Sequence, residues 1–110
     1  MEKKVKEYLL SLGFLPNKCG YHYLYDIICD GLSGEELLPL KFVAYSRLAK
    51  KYNKSVDSIE KDVQNAIGSA WLVGDVDRLY GEFGETIDMK KGKPSNKHFI
   101  LTAIESCRSV

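Results

Sequence analysis

The sequence predicts an all-α protein, a bundle of about six helices that contains a helix-turn-helix. Apolar residues recur at spacings of three and four along most of the chain. Glycine, proline, asparagine and serine residues stand where such segments start and stop. Only Thr86 and Ile87 have a strand-like character. With 110 residues, 45% of them hydrophobic and 28% charged, we expect one globular domain over residues 1–110.

Two helices are predicted in the N-terminal third of the chain. In "EKKVKEYLLSLG", Val5, Leu9 and Leu12 share one helical face, and the final glycine is a natural stop. A second apolar pattern runs through "YHYLYDIICDG" and ends at Gly31. We expect a short helical turn in "SGEELLPL", broken by its proline.

A helix-turn-helix is predicted between Leu40 and Gly74. A third helix covers Leu40 to Tyr52, and Asn53 tolerates the left-handed conformation that the turn requires. Ser55 offers an N-cap hydroxyl, although "DSIE" offers a competing capping box two residues later. The fourth helix then buries a continuous stripe of apolar residues: Ile59, Val63, Ala66, Ile67, Ala70 and Trp71.

The C-terminal part is predicted to hold two further helices around an irregular segment. Asp75 is a plausible cap for "VDRLYGEF", and "GETIDMKKGKP" suits a short hairpin or an irregular loop. Ser95 caps the last helix. Its inner face is formed by Phe99, Ala103, Ile104 and Cys107.

The sequence contains no recognisable catalytic or metal-binding motif. His22 and His98 stand in no motif with a nucleophile, and the glycines form no phosphate-binding loop. Cys19, His22 and Cys29 are residue types that bind metals, but the closely spaced ligand pair typical of zinc sites, such as CxxC or HxxxH, is missing. We therefore expect neither an enzyme, nor a cofactor, nor a metal. The odd set of three cysteines and the lack of a signal peptide indicate reduced thiols in the cytoplasm.

Six segments appear in an order that resembles a known family. They are "GYHYLYDII", "LAKKYNKS", "AIGSAW", "GDVD", "FGETI" and "KPSNKHFI". Together they resemble the C-terminal DNA-binding effector domain of the stage-zero sporulation response regulator, the master transcription factor of endospore-forming bacteria. The resemblance implies a winged-helix-like, effector-domain type of helical bundle that binds short DNA boxes, often as tandem copies.

Two departures from the family pattern matter for function. The chain begins almost at the effector domain, so we expect no receiver domain, whether it is a stand-alone protein or a piece of a longer one. The family's recognition helix presents arginines at the positions of Ser58, Lys61 and Gln64, and only Lys61 keeps a charge here. Glu60 matches a family glutamate, whereas Asn65 replaces a histidine. We therefore expect weak or altered specificity.

The predicted DNA contacts fall into two groups. The helix over about 55–73 would enter the major groove. Its base-facing candidates are Ser58, Glu60, Lys61, Gln64 and Asn65. The phosphate candidates are Lys50, Lys51, Lys54, Ser55, Lys90, Lys91, Lys93, Ser95, Asn96 and Lys97. The plainer interpretation is that these polar residues are only a solvated surface, since the net charge of +1 is low for a nucleic-acid module.

The expected partner is double-stranded DNA, bound by a homodimer or by tandem copies, and neither a membrane nor a small-molecule substrate. The rival hypothesis is an interaction protein. It would keep the fold, would have lost sequence-specific DNA binding, and would bind another regulator or itself.

Overall fold

The computed structural model describes residues 2–84, 87 and 92–108, residue 76 by its backbone only. These residues form six α-helices and no β-strand, which confirms the predicted all-α class. The helices are α1 (Glu2–Ser11), α2 (Cys19–Leu32), α3 (Ala44–Tyr52), α4 (Val56–Val73), α5 (Val76–Phe83) and α6 (Asn96–Arg108). Within the described ranges, no helix combines the length and the apolarity that crossing a membrane requires.

The core is built from the apolar stripes that the sequence predicts. Helix α2 packs against α1, α4 and α6 and so occupies the middle of the bundle. An aromatic cluster closes the end of the core next to α5. The Phe83 and Phe99 rings stack with centroids 4.9 Å apart, and the Phe14 ring lies 5.2 Å from that of Phe99. Such pairs add to the burial of apolar area, so this cluster fixes α5 and α6 relative to each other.

Several helix boundaries follow the predicted stop and start residues, although α2 continues one residue past its predicted end at Gly31. Gly13 ends α1 with a φ of 98°, a conformation in which a Cβ would be strained. Ser55 and Asp75 cap α4 and α5, accepting the N–H groups of the third residues after them. Ser95 Oγ accepts the N–H of His98 at 3.2 Å at the start of α6. These caps satisfy amides that the first helical turns leave unpaired.

Two predictions for the connection between α2 and α3 are wrong. Residues 35–38 form no helical turn; Leu38 precedes a proline, which disfavours the helical conformation, and Leu37 is buried in the core instead. The third helix begins at Ala44 rather than at Leu40. Before it, the Pro39 carbonyl accepts the N–H groups of residues 42 and 43, so this segment is a turn that leads into the helix.

Trp71 is also less buried than the apolar stripe of α4 predicts. It is half-buried at the edge of the stripe, and its ring meets Phe83 edge-on at 5.4 Å. Its Nε1 atom is inaccessible and has no hydrogen-bond partner within the described residues. The predicted hairpin or loop over residues 84–94 lies largely outside the described residues.

Candidate nucleic-acid interface

The turn between α3 and α4 has the geometry that the sequence predicts. Asn53 adopts the left-handed conformation, with φ 54° and ψ 51°. The N–H groups of Asn53 and Lys54 both point back to the Ala49 carbonyl. Ser55 then caps α4: its Oγ accepts the Ser58 N–H at 3.1 Å and donates to Ser58 Oγ at 3.0 Å. The two helices are thus joined by three residues, as in a helix-turn-helix.

Helix α4 is held against the bundle from Ile59 to Ala70. Its buried side chains are Ile59, Val63, Ala66, Ile67 and Ala70. On the inner side, α2 approaches so closely that a Cβ at Gly20 would lie 2.4 Å from the Asp62 carbonyl oxygen. Only glycine fits there. The opposite face of α4 is consequently presented to solvent in a fixed orientation.

All five base-facing candidates lie on this exposed side of α4. Ser58, Glu60, Lys61, Gln64 and Asn65 are each exposed. Of the acidic residues that accompany Lys61, only Asp57 stands in the first turn of the helix. Negative charge there is favourable because the first backbone amides point their positive ends outward. The position of Asp57 therefore has a structural reason, whereas the two acidic residues beyond the first turn have none of this kind, and all three oppose the approach of phosphate.

The cations of α3 are unequally available. Lys51 Nζ lies 2.9 Å from Asp26 Oδ2, and the Tyr52 hydroxyl donates to the same oxygen at 2.5 Å. Burial, and then the bond to Asp26, raises the pKa of Tyr52 above its ordinary value. Lys50 and Lys54, by contrast, are exposed and form no ion pair within the described residues. Two lysines of this group therefore face solvent, while Lys51 is paired with α2.

Arg47 is a further α3 cation, and it is bonded to neighbouring segments although its side chain is 38% exposed. Its guanidinium lies 2.9 Å from Asp30 Oδ2 and donates to the Glu36 carbonyl at 2.7 Å. It therefore anchors α3 to the end of α2.

The start of α6 is fastened directly to the helix-turn-helix. Asn96 Nδ2 donates to the Tyr45 hydroxyl at 3.1 Å and to the Glu60 carbonyl at 3.4 Å. Tyr45 is buried, and burial raises its pKa to about 12. The amide of Asn96, a predicted phosphate contact, is thus used within the protein. The first backbone amides of α6 have no partners within the helix, and that of His98 is bonded to Ser95 Oγ.

A hollow of about 180 Å³ brings the two predicted groups of residues together. It lies between α4 and the start of α6. Its lining consists of Glu60, Gln64, Lys93, Pro94, Ser95 and Asn96. Lys97 is exposed in the first turn of α6, whereas Lys90 and Lys91 lie outside the described residues. One continuous surface therefore carries base-facing candidates on α4 and phosphate candidates beside it.

Lys93 lies closer to α4 than its sequence position suggests. A Cβ built at Gly68 would be 3.0 Å from Lys93 Nζ. The side chain of Lys93 therefore reaches across the exposed face of α4. The sequence does not predict this contact, because the two residues are far apart in the chain and leave no periodic signal.

The residues considered for catalysis or metal binding do not assemble into a site. His22 Nε2 lies 2.7 Å from the Pro16 carbonyl, which occupies one ring nitrogen. No group of three histidine, cysteine or acidic side chains able to hold a metal occurs among the described residues. The three cysteines are free, and burial raises the thiol pKa values of Cys29 and Cys107.

Comparison with known protein families gives a match over nearly the whole chain. The family model described as "Sporulation initiation factor Spo0A C terminal" matches residues 5–106. The match includes all of α2, α3, α4 and α5 and most of α1 and α6.

Proposed function

Because the chain belongs to the family of Spo0A C-terminal domains, which are DNA-binding effector domains of sporulation transcription factors, we propose that it docks α4 in the major groove. The observation that carries the proposal is the fixed helix-turn-helix, with α4 exposing five polar residues beside the start of α6. A helix of this kind fits the major groove, where base edges differ in their donors and acceptors.

The side chains of α4 set the chemistry of the proposed base contacts. Lys61 offers an ammonium to guanine O6 or N7, and Glu60 accepts from cytosine N4. Gln64 or Asn65 pairs with adenine. A lysine lacks the planar fork with which arginine grips guanine. Ser58 is occupied with the cap residue Ser55. We therefore propose that specificity is weaker than in family members with three arginines, or altered.

Phosphate contacts supply most of the proposed affinity. The exposed lysines Lys50, Lys54 and Lys97 flank α4, and Lys90 and Lys91 belong to the same proposal. Ser55, Ser95 and Asn96 act through the backbone amides at the helix starts, since their side chains are engaged within the fold. Lys51 contributes only when it leaves Asp26. We propose that the protein acts in the bacterial cytoplasm on duplex DNA, as tandem copies or a homodimer.

A second candidate function is favoured by an apolar surface at the far end of α4. Leu72 and Val73 are 87% and 65% exposed, and Tyr80 on α5 is 51% exposed. Neighbouring exposed apolar side chains are typical of protein–protein contact sites. In this alternative the protein keeps the fold and binds another regulator or itself, without reading a DNA sequence.

A salt-dependent titration distinguishes the two functions. Fluorescence anisotropy with a labelled random-sequence duplex is measured at about 50 mM and 200 mM salt. About five lysine–phosphate contacts predict a slope near −4.5 in log–log form, and hence an affinity about 500-fold lower at the higher salt.

Two variants provide the controls for this titration. Ser58→Arg with Gln64→Arg should strengthen binding to the family's type of box. Ser33→Arg with Glu36→Gln, which makes the same charge change between α2 and α3, should not. If the native protein binds no duplex at 50 mM salt and the α4 variant does, the interaction function is correct.

A further inference from the structure

Lys93 is held beside α4 by its neighbours in the chain. Pro94 is buried, and its ring restricts the backbone that follows Lys93. Ser95 caps α6, and Asn96 is bonded to the Glu60 carbonyl of α4. The backbone at residues 93–96 is therefore fixed against the exposed side of α4. Lys93 itself is half-buried, unlike the exposed Lys97 three residues from the proline.

The ammonium of Lys93 lies on the same stripe of α4 as the base-facing candidates. Gly68 follows Lys61 by seven residues and Gln64 by four, and such spacings put side chains on one helical face. Lys93 Nζ stands 3.0 Å from where a Cβ of Gly68 would be. Lys93 also lines the hollows on both sides of this stripe, with Gln64 in one and Asn65 in the other.

Because Gly68 has no side chain, the Lys93 ammonium can lie against this part of α4. A β-carbon there would be closer to the ammonium than ordinary van der Waals contact permits. The fourth turn of α4, where Gly68 lies, thus carries a cation that does not belong to this helix. It stands in line with Lys61, on a helix whose own exposed charges are mainly acidic.

We propose that Lys93 is a specificity-determining residue that contacts base edges from outside the recognition helix. Its ammonium would donate to guanine O6 or N7 at the base pairs opposite the fourth turn of α4. This role differs from the sequence-independent phosphate contact that the lysine-rich segment predicts. The inference rests on the proposed docking of α4 in the major groove.

Selection from a random-sequence duplex library tests the proposal. The native protein, Lys93→Ala and Lys97→Ala are each used to enrich bound duplexes, which are then sequenced. Lys93→Ala should lose a guanine preference at one or two adjacent base pairs, with discrimination there falling about 5- to 150-fold. Lys97→Ala removes the same charge from an exposed position. It should keep the selected sequence and bind all duplexes more weakly by one common factor.

Gly68→Leu supplies a second variant that changes no charge. The leucine side chain occupies the place of the ammonium, so this variant should lose the same guanine preference while its affinity for random duplex stays within about twofold. Leucine favours the helix more than glycine does, and circular dichroism checks that the fold is kept.

The outcomes separate this inference from the proposed function. If Lys93→Ala keeps the selected sequence and only weakens binding uniformly, Lys93 is a phosphate contact and the inference is wrong while DNA binding stands. A native protein that binds duplexes without selecting any sequence refutes the inference and the proposed base contacts of α4, while duplex binding itself stands. If the native protein binds no duplex at about 50 mM salt, the proposed function fails together with it.

Discussion

The pair formed by Asp26 and Lys51 yields a prediction about DNA affinity. Asp26 on α2 is largely buried, with 15% of its side chain exposed, and it holds Lys51 at 2.9 Å. Asp26→Asn removes the charge that retains Lys51 but keeps an oxygen that can accept the Tyr52 hydroxyl. Lys51, whose side chain is 60% exposed, is then free to contact phosphate. We expect tighter binding to every duplex.

The size of the effect follows from counterion release. One additional phosphate contact makes the slope of log affinity against log salt steeper by about 0.9. If that contact contributes nothing at about 1 M salt, it strengthens binding about eightfold at about 100 mM. The ion pair is only partly shielded from water, so the free energy of unfolding should change by less than about 1 kcal/mol.

Anisotropy titrations over a range of salt concentrations measure both quantities. Asp77→Asn is the matched control, because it removes an equal charge from an exposed position on α5. Combining Asp26→Asn with Lys51→Ala should abolish the gain. The reasoning is refuted if Asp26→Asn and Asp77→Asn have equal slopes, or if the gain survives the loss of Lys51.

Three further predictions concern stability and reactivity. Gly20→Ala should lower the free energy of unfolding in urea by about 1–3 kcal/mol, because the new Cβ would lie 2.4 Å from the Asp62 carbonyl oxygen. Gly81→Ala, in open space on α5, should raise the free energy of unfolding by up to about 1 kcal/mol. If the two variants changed the free energy of unfolding equally, the close packing of α2 on α4 would be contradicted. Asn53→Ala should destabilise by about 1–2 kcal/mol, because alanine lacks the side chain that eases a left-handed conformation, and Asn53→Gly should not. At pH 8, a thiol reagent should modify the exposed Cys19 quickly, the half-buried Cys29 more slowly and the buried Cys107 only after unfolding; rapid reaction of Cys107 in the folded protein would contradict its burial.

Local patterns predicted the helices and the turn well because their causes are local. The stripe on α4 follows from spacings of three and four, and Asn53, Ser55 and Ser95 act on amides within a few residues of themselves. The start of α3 was missed because apolar residues continue through the turn after Pro39, and periodicity cannot show where a helix begins.

The part of the candidate site that the sequence did not predict depends on contacts between residues far apart in the chain. Asp26 and Lys51 are 25 residues apart, and Gly68 and Lys93 are separated by a similar length of chain. Neither pair leaves a periodic signal in the sequence. The sequence therefore predicted which residues of α4 are polar and exposed. It did not predict that Lys51 is paired with Asp26, or that the Lys93 ammonium lies beside α4.

Nuclear magnetic resonance of the ¹⁵N-labelled protein tests the central claim most directly. Unlabelled duplex DNA is added at about 50 mM salt, and shifts of the backbone amides are followed residue by residue. The account predicts that the largest shifts fall at Lys61, Gln64 and Asn65 on α4 and at Lys93 and Ser95 beside it. They should diminish as salt is raised. Shifts confined to the apolar end of α4 and to α5, or no shifts at all, would contradict the docking of α4 in the major groove.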